Sequence, residues 1–124
     1  MKSRENLVRL KKFQVNEKRR QLTQIQMMVS DFERMANELE AQIASEERKS
    51  GITDINHFAY PTFAKAARLR RDNLKTSQSD LSQQKAGAEA ALAEAESELA
   101  KAEALENRDT RQRELEIDAR RAVG

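Results

Sequence analysis

Between residues 22 and 43 the apolar side chains Leu22, Ile25, Val29, Phe32, Ala36, Leu39 and Ile43 follow one another at alternating steps of three and four, without a slip. An apolar position every 3.5 residues makes one narrow stripe on a helix, the stripe that faces a partner helix in a coiled coil. Arg34, Glu38 and Glu40 lie on the other faces and keep them wet. A single helix has nothing to bury this stripe against, so a partner must exist.

Composition narrows the search for it. With 124 residues, one domain is the default. Only 38% of the chain is hydrophobic and 35% is charged, too polar for a thick globular core but suited to long helices rich in Ala, Glu, Lys, Leu and Arg. Cysteine is absent, which excludes disulfides and thiolate metal sites. No apolar run reaches the length of about 18 residues that a membrane span needs. The basic start has no apolar core after it, so it does not read as a secretory signal. A soluble cytosolic protein is the expectation.

Residues 2–49 contain neither Pro nor Gly and read as the first helix. Traced backwards from Leu22, the seam passes through Lys18, Val15, Lys11 and Val8. Lysine at a seam position can bury its stem and lift its head to water at some cost. The first half of this helix is therefore expected to be looser than the second. Leu10 and Phe13 fall on the side away from Val8 and Val15, either as scattered surface residues or as a second contact face. Gly51 is a C-cap candidate after Arg48 and Lys49. Thr53 and Asp54 are N-cap candidates for a short helical turn over 55–59. The turn region is 50–61, and Pro61 opens a second helix, 61–121.

The second helix carries a weaker, alanine-rich seam: Ala67, Leu74, Leu81, Ala88, Leu92, Ala95, Leu99 and Ala102. Beyond it Leu105 falls out of phase, and Leu115, Ala119 and Ala122 form only a short stripe. Folding about a point near residue 55 sets residue i beside roughly residue 110 − i, so Val15 meets Ala95, Val8 meets Ala102 and Ala36 meets Leu74. Large against small along a seam is how layers interdigitate. Charge supports the same register. Residues 1–20 hold eight cations and two acids, and the facing residues 89–109 hold seven acids and two cations. Near the turn the signs exchange: Glu38, Glu40, Glu46 and Glu47 face Lys65, Arg68, Arg70 and Arg71. Such pairs fix orientation more than they stabilise. The predicted fold is all-α: an antiparallel coiled-coil hairpin whose second helix overhangs the first. Residues 109–124 have no partner within the chain and are expected to be helical only when something else holds them.

Chemistry finds no constellation here. His57 is the only histidine, the three glycines are isolated, and the carboxylates lie on solvated faces, so no catalytic, cofactor or metal site is expected. The basic start followed by a heptad seam has the layout of a zipper-type DNA reader, but the seam continues through the basic stretch, which a zipper leaves free. Phe58, Tyr60 and Phe63 cluster at the turn, either plugging the end of the coiled coil or meeting a partner. Met28 and Met35 flank the seam, as core edge or as a docking surface.

Three stretches carry a resemblance: KSRENLVRLKKFQVNEKRRQ at the start, GITDINHFAYPTFAKAARLRRDNL around the turn, and AESELAKAEALENRD before the overhang. Together they resemble the alphaproteobacterial form of the FliJ family of flagellar export proteins, over nearly the whole chain. The resemblance implies a cytoplasmic, non-enzymatic component of the flagellar type III export apparatus, associated peripherally with the inner membrane through its partners. It implies similarity to the central stalk of rotary ATPases, with the two-terminus end entering the hexameric export ATPase. Contacts with the cytosolic domain of the export gate and with export chaperones are also implied. By helix position the ring-contact candidates are Arg4, Arg9, Leu10, Phe13, Arg111, Arg113, Arg120 and Arg121. The gate-contact candidates are Phe63, with Phe58, Tyr60, Met28 and Met35. A nucleic-acid-binding zipper protein and a general coiled-coil cargo adaptor are the alternatives.

Overall fold

A computed structural model describes residues 2–123. Two helices, α1 (Lys2–Ser50) and α2 (Thr62–Val123), pack against each other as an all-α hairpin, with no strand among the described residues. Their bounds differ from the sequence reading by one or two residues, the ordinary uncertainty of helix ends.

The turn is built by backbone groups that α1 and α2 leave over. Gly51 sits at φ 73°, the left-handed conformation that stops a helix, and its N–H donates to the Glu47 carbonyl at 2.9 Å. The Asp54 carboxylate then accepts from the Asn56 N–H at 3.0 Å, and His57 Nδ1 accepts from the Ala59 N–H at 3.0 Å. Over 55–59, where a short helical turn is expected, the chain makes two successive tight turns, closed by His57 N–H to Asp54 C=O and Tyr60 N–H to His57 C=O, each 3.0 Å. Asp54 takes the Asn56 amide as an N-cap residue does, and His57 takes the Ala59 amide, which a continuing helix would commit to its own carbonyl. The Pro61 carbonyl accepts the first bond of α2 from Lys65 N–H, and α2 begins one residue later.

The chain divides into two compact units. One combines the first 22 residues with those from Gly87 onward. Val8, Val15, Ala95 and Ala102 are buried there, Val15 being only 2% exposed, while Leu22, Ala88, Leu92 and Leu99 are half-buried. Two ion pairs cross between its helices, Arg4 Nε to Asp109 Oδ2 at 3.0 Å and Lys11 Nζ to Glu98 Oε2 at 2.8 Å. Their residue numbers total 113 and 109, close to the register expected from pattern and charge.

The other unit is Thr23–Ala86. Leu39, Ile43 and Ala67 form a buried cluster with Leu74 packed on it, and Ala36, Ala64 and Leu81 are buried too. Glu47 pairs with Arg68 at 3.1 Å, and Glu40 with both Arg71 and Lys75 at 3.4 and 3.3 Å. Glu38 and Glu46 instead pair along their own helix, with Arg34 and Lys49.

Seam lysines predict that the first half of α1 is looser than the second. In the first half Val8 and Val15 are buried among half-buried Lys11, Lys18, Leu22 and Ile25, and in the second half Ala36, Leu39 and Ile43 are buried beyond half-buried Val29 and Phe32. Lys11 explains part of this: it lies half-buried with its ammonium on Glu98, so its stem covers the seam. Alanines at the facing levels let the helices close on the two valines.

Gly87 lies inside α2 and is exposed, and a methyl group added there meets nothing. Neither close helix approach nor an unusual φ requires it. Gly87→Ala is expected to raise stability by about 0.5–1 kcal/mol, through lower unfolded-state entropy and higher helix propensity. Urea unfolding followed by circular dichroism measures it; a destabilised variant would show that Gly87 relieves a packing constraint.

Candidate functional site

The three aromatics of the turn separate. Tyr60 is 7% exposed. Its hydroxyl donates to Glu47 Oε2 at 3.3 Å and accepts from Arg68 Nε at 2.8 Å, while Arg68 Nη2 donates to the same Glu47 oxygen at 3.1 Å. Hydrogen bonding to Tyr60, then to Glu47, holds the Arg68 guanidinium above its ordinary pKa, against a small opposing desolvation. Tyr60 therefore plugs the turn end and is withdrawn from the candidate contact face. Phe58 is 97% exposed and Phe63 57%. Phe58 stacks on His57, ring centroids 4.7 Å apart. Met28 is exposed, Met35 half-buried beside Arg70, Asn73 and Leu74.

A further feature lies on α2 next to the turn. Ile55, Thr62, Lys65, Ala66, Arg68, Leu69 and Asp72 line a shallow groove of about 460 Å³ on the exposed side of the helix. Leu69 is 65% exposed. Sequence reasoning missed this face because only two of its residues on the helix, Ala66 and Leu69, are apolar. The spacing of Thr62, Ala66, Leu69 and Asn73 at steps of four, three and four was the available signal.

In the unit that holds both termini, Leu10 and Phe13 are exposed, as is Arg9. Phe13 borders a groove with Gln14, Lys18, Ala91 and Glu98. Arg4 is engaged by Asp109, so its guanidinium serves the helix pairing first. Past Asp109, α2 continues to Val123 with every residue from Thr110 to Val123 exposed. Arg111, Arg113, Arg120 and Arg121 all stand on this segment, interleaved with Glu114, Glu116 and Asp118. Leu115 and Ile117 are exposed on it as well. The structure thus groups the ring candidates into an N-terminal patch and a bare helix, and it separates both from the aromatics of the turn by sequence and by unit.

Among the described residues no cluster of His, Cys, Asp and Glu has the makings of a metal site, and no helix is long and apolar enough to cross a membrane. The one histidine uses its Nδ1 to accept a backbone amide. Comparison of the chain with protein-family models, with curated proteins and with solved structures finds no match.

Lys11 holds the Glu98 carboxyl below its ordinary value of 4.5, by hydrogen bond first and by charge second. A carboxyl depressed in the folded state stabilises it above the ordinary value, and that contribution is lost as pH falls through the lowered one. Wild type is therefore expected to melt above Glu98→Gln at pH 7, with the two converging as pH drops below 4.5. Thermal melts from pH 7 to acid check this, and a gap independent of pH would contradict it.

The bare segment rests on helix propensity alone, and an isolated helix of fewer than about 12–15 residues is marginal in water. Hydrogen exchange of the monomer is expected to show fast amide exchange from Thr110 to Val123 and strong protection around Val15 and Ile43. Strong protection throughout 110–123 would mean that the segment is held.

Proposed function

We propose that this chain is a non-enzymatic, stalk-like coupling subunit of a flagellar type III export ATPase complex. The carrying observation is the overhang: the paired helices reach Arg4 and Asp109, and α2 alone continues as an exposed, arginine-bearing helix to Val123. A helix pair that ends in one bare helix suits the hole of a hexameric ring. Arginines alternating with acids give it charge to read against the ring wall without deep burial. The sequence resemblance supports the same assignment. Arg9, Leu10, Phe13, Arg111, Arg113, Arg120 and Arg121 are the ring-facing set, with Arg4 in a supporting position. Phe58, Phe63 and Met28 are the exposed set for the cytosolic domain of the export gate, with Met35 at its edge. Export chaperones are the further partners. On this reading the protein is cytoplasmic and held at the inner membrane of the flagellar base by its partners.

The zipper alternative is less favoured by the same geometry. Val8 and Val15 are buried, and Arg4 and Lys11 are engaged by acids of α2, so phosphate would have to displace carboxylates. A general cargo adaptor would share the fold but leave the ATPase unaffected.

Adding the protein to the cognate export ATPase is expected to raise its steady-state rate or its hexamer fraction. Changing Arg111, Arg113, Arg120 and Arg121 together to Ala is expected to remove most of that rise while circular dichroism stays helical. No effect of folded wild type would remove the stalk reading, and salt-dependent DNA binding in its place would favour the zipper.

A further inference from the structure

We infer that the outward face of α2 beside the turn is a self-association site, which takes a second copy of this chain in antiparallel orientation. The inference goes beyond the ATPase reading and does not rest on it.

Ala64, Ala67, Arg68, Arg71 and Leu74 are the buried and half-buried residues at the start of α2. At 100° per residue, the opposite side of the helix carries Thr62, Ala66, Leu69 and Asn73. All four are exposed. Their steps of four, three and four are a short heptad seam with no helix on it within the chain. Ile55 of the turn borders it and widens its apolar surface.

Its flanks say what covers it. Lys65 and Asp72 edge one side, Phe63 and Arg70 the other. Lay a second α2 antiparallel on this stripe, with facing residues totalling about 135. Ala66 then meets Leu69 of the second copy and Thr62 meets its Asn73, each twice about the two-fold axis. Small lies against large in both apolar layers. On one edge Lys65 meets Asp72 of the second copy, again twice. On the other edge Arg70 comes over Phe63, a cation against an aromatic face. A parallel arrangement would bring opposite flanks together and set Lys65 against Arg70 of the second copy, so charge selects the antiparallel one. Asp72 has capacity for this contact: both bonds from Arg71 reach its Oδ1. The patch is thus self-complementary, as a two-fold interface requires.

The overlap is about 12 residues, roughly 18 Å of helix at 1.5 Å per residue. An interface of this size is small, so the dimer is weak and reversible. It covers Phe63, so dimer formation and gate contact through Phe63 exclude one another.

Sedimentation equilibrium of the full chain, from roughly 10 µM to 1 mM, tests the proposal at the concentrations where small interfaces associate. Wild type is expected to show a monomer–dimer equilibrium, and Leu69→Glu a monomer throughout. Lys65→Glu and Asp72→Lys, each alone, are expected to weaken the dimer about tenfold or more by opposing like charges. The double variant Lys65→Glu/Asp72→Lys is expected to recover it. These positions are exposed, and circular dichroism melts confirm the fold of each variant. Recovery in the double variant requires that the two residues meet across copies. A strict monomer at the highest concentration overturns the proposal and leaves the face to another partner. A dimer indifferent to Leu69→Glu, or one that the double variant does not recover, also overturns it.

Discussion

Everything in this chain depends on covering one narrow apolar stripe with another. Neither helix carries enough hydrophobic surface to stand alone, and most of the buried residues are small. The solution is close approach: alanines on α2 accept valines, leucine and isoleucine from α1. Val15 at 2% exposure and Ala64 at 0% show how tight that approach becomes. Around Leu22 to Phe32 the seam is half-open, while Leu39 and Ile43, no smaller than Leu22 and Ile25, are buried.

Charge does a different job. The ion pairs lie at the edges of the seam and are largely solvent-exposed, so each contributes little to stability. They act on register and direction. Basic residues near the start meet acids late in α2, and acids late in α1 meet bases early in α2. A parallel or slipped pairing would set like charges against each other. The Glu47–Tyr60–Arg68 cluster is the best-sheltered of these contacts, and it fixes the chain where α1 ends and α2 begins.

Both helices, the seam and the register were legible because few glycines and prolines interrupt a long periodic pattern. The interior of the turn was not. Its shape comes from Asp54 and His57 bonding to nearby amides, a competition that helix-cap signals alone do not resolve. Which ring would pack was also hidden: Tyr60 is chosen over Phe58 and Phe63 because its hydroxyl bridges Glu47 and Arg68, a contact across 13 and 8 residues. Lys11 was read as a weak point of the seam, yet its bridge to Glu98 makes it a cover for Val8 and Val15. The arginines of the overhang were visible from sequence, interleaved with Glu114, Glu116 and Asp118 where the seam has lapsed. The back face of α2 escaped notice because two apolar residues are too few to raise a periodic signal.

The functional account needs a hairpin that is closed within one chain, with its last helix left over. The Cys-free sequence permits a direct measurement of that pairing. Cysteines placed at Val15 and Ala95, both buried and at matching levels, are oxidised at low concentration and the products separated by mass. The account predicts rapid cross-linking within single chains, and much slower cross-linking when the second cysteine is moved from Ala95 to Ala88, one heptad away. Cross-links chiefly between chains, or equal rates for the two pairs, would contradict the intrachain register on which the overhang and its proposed use depend.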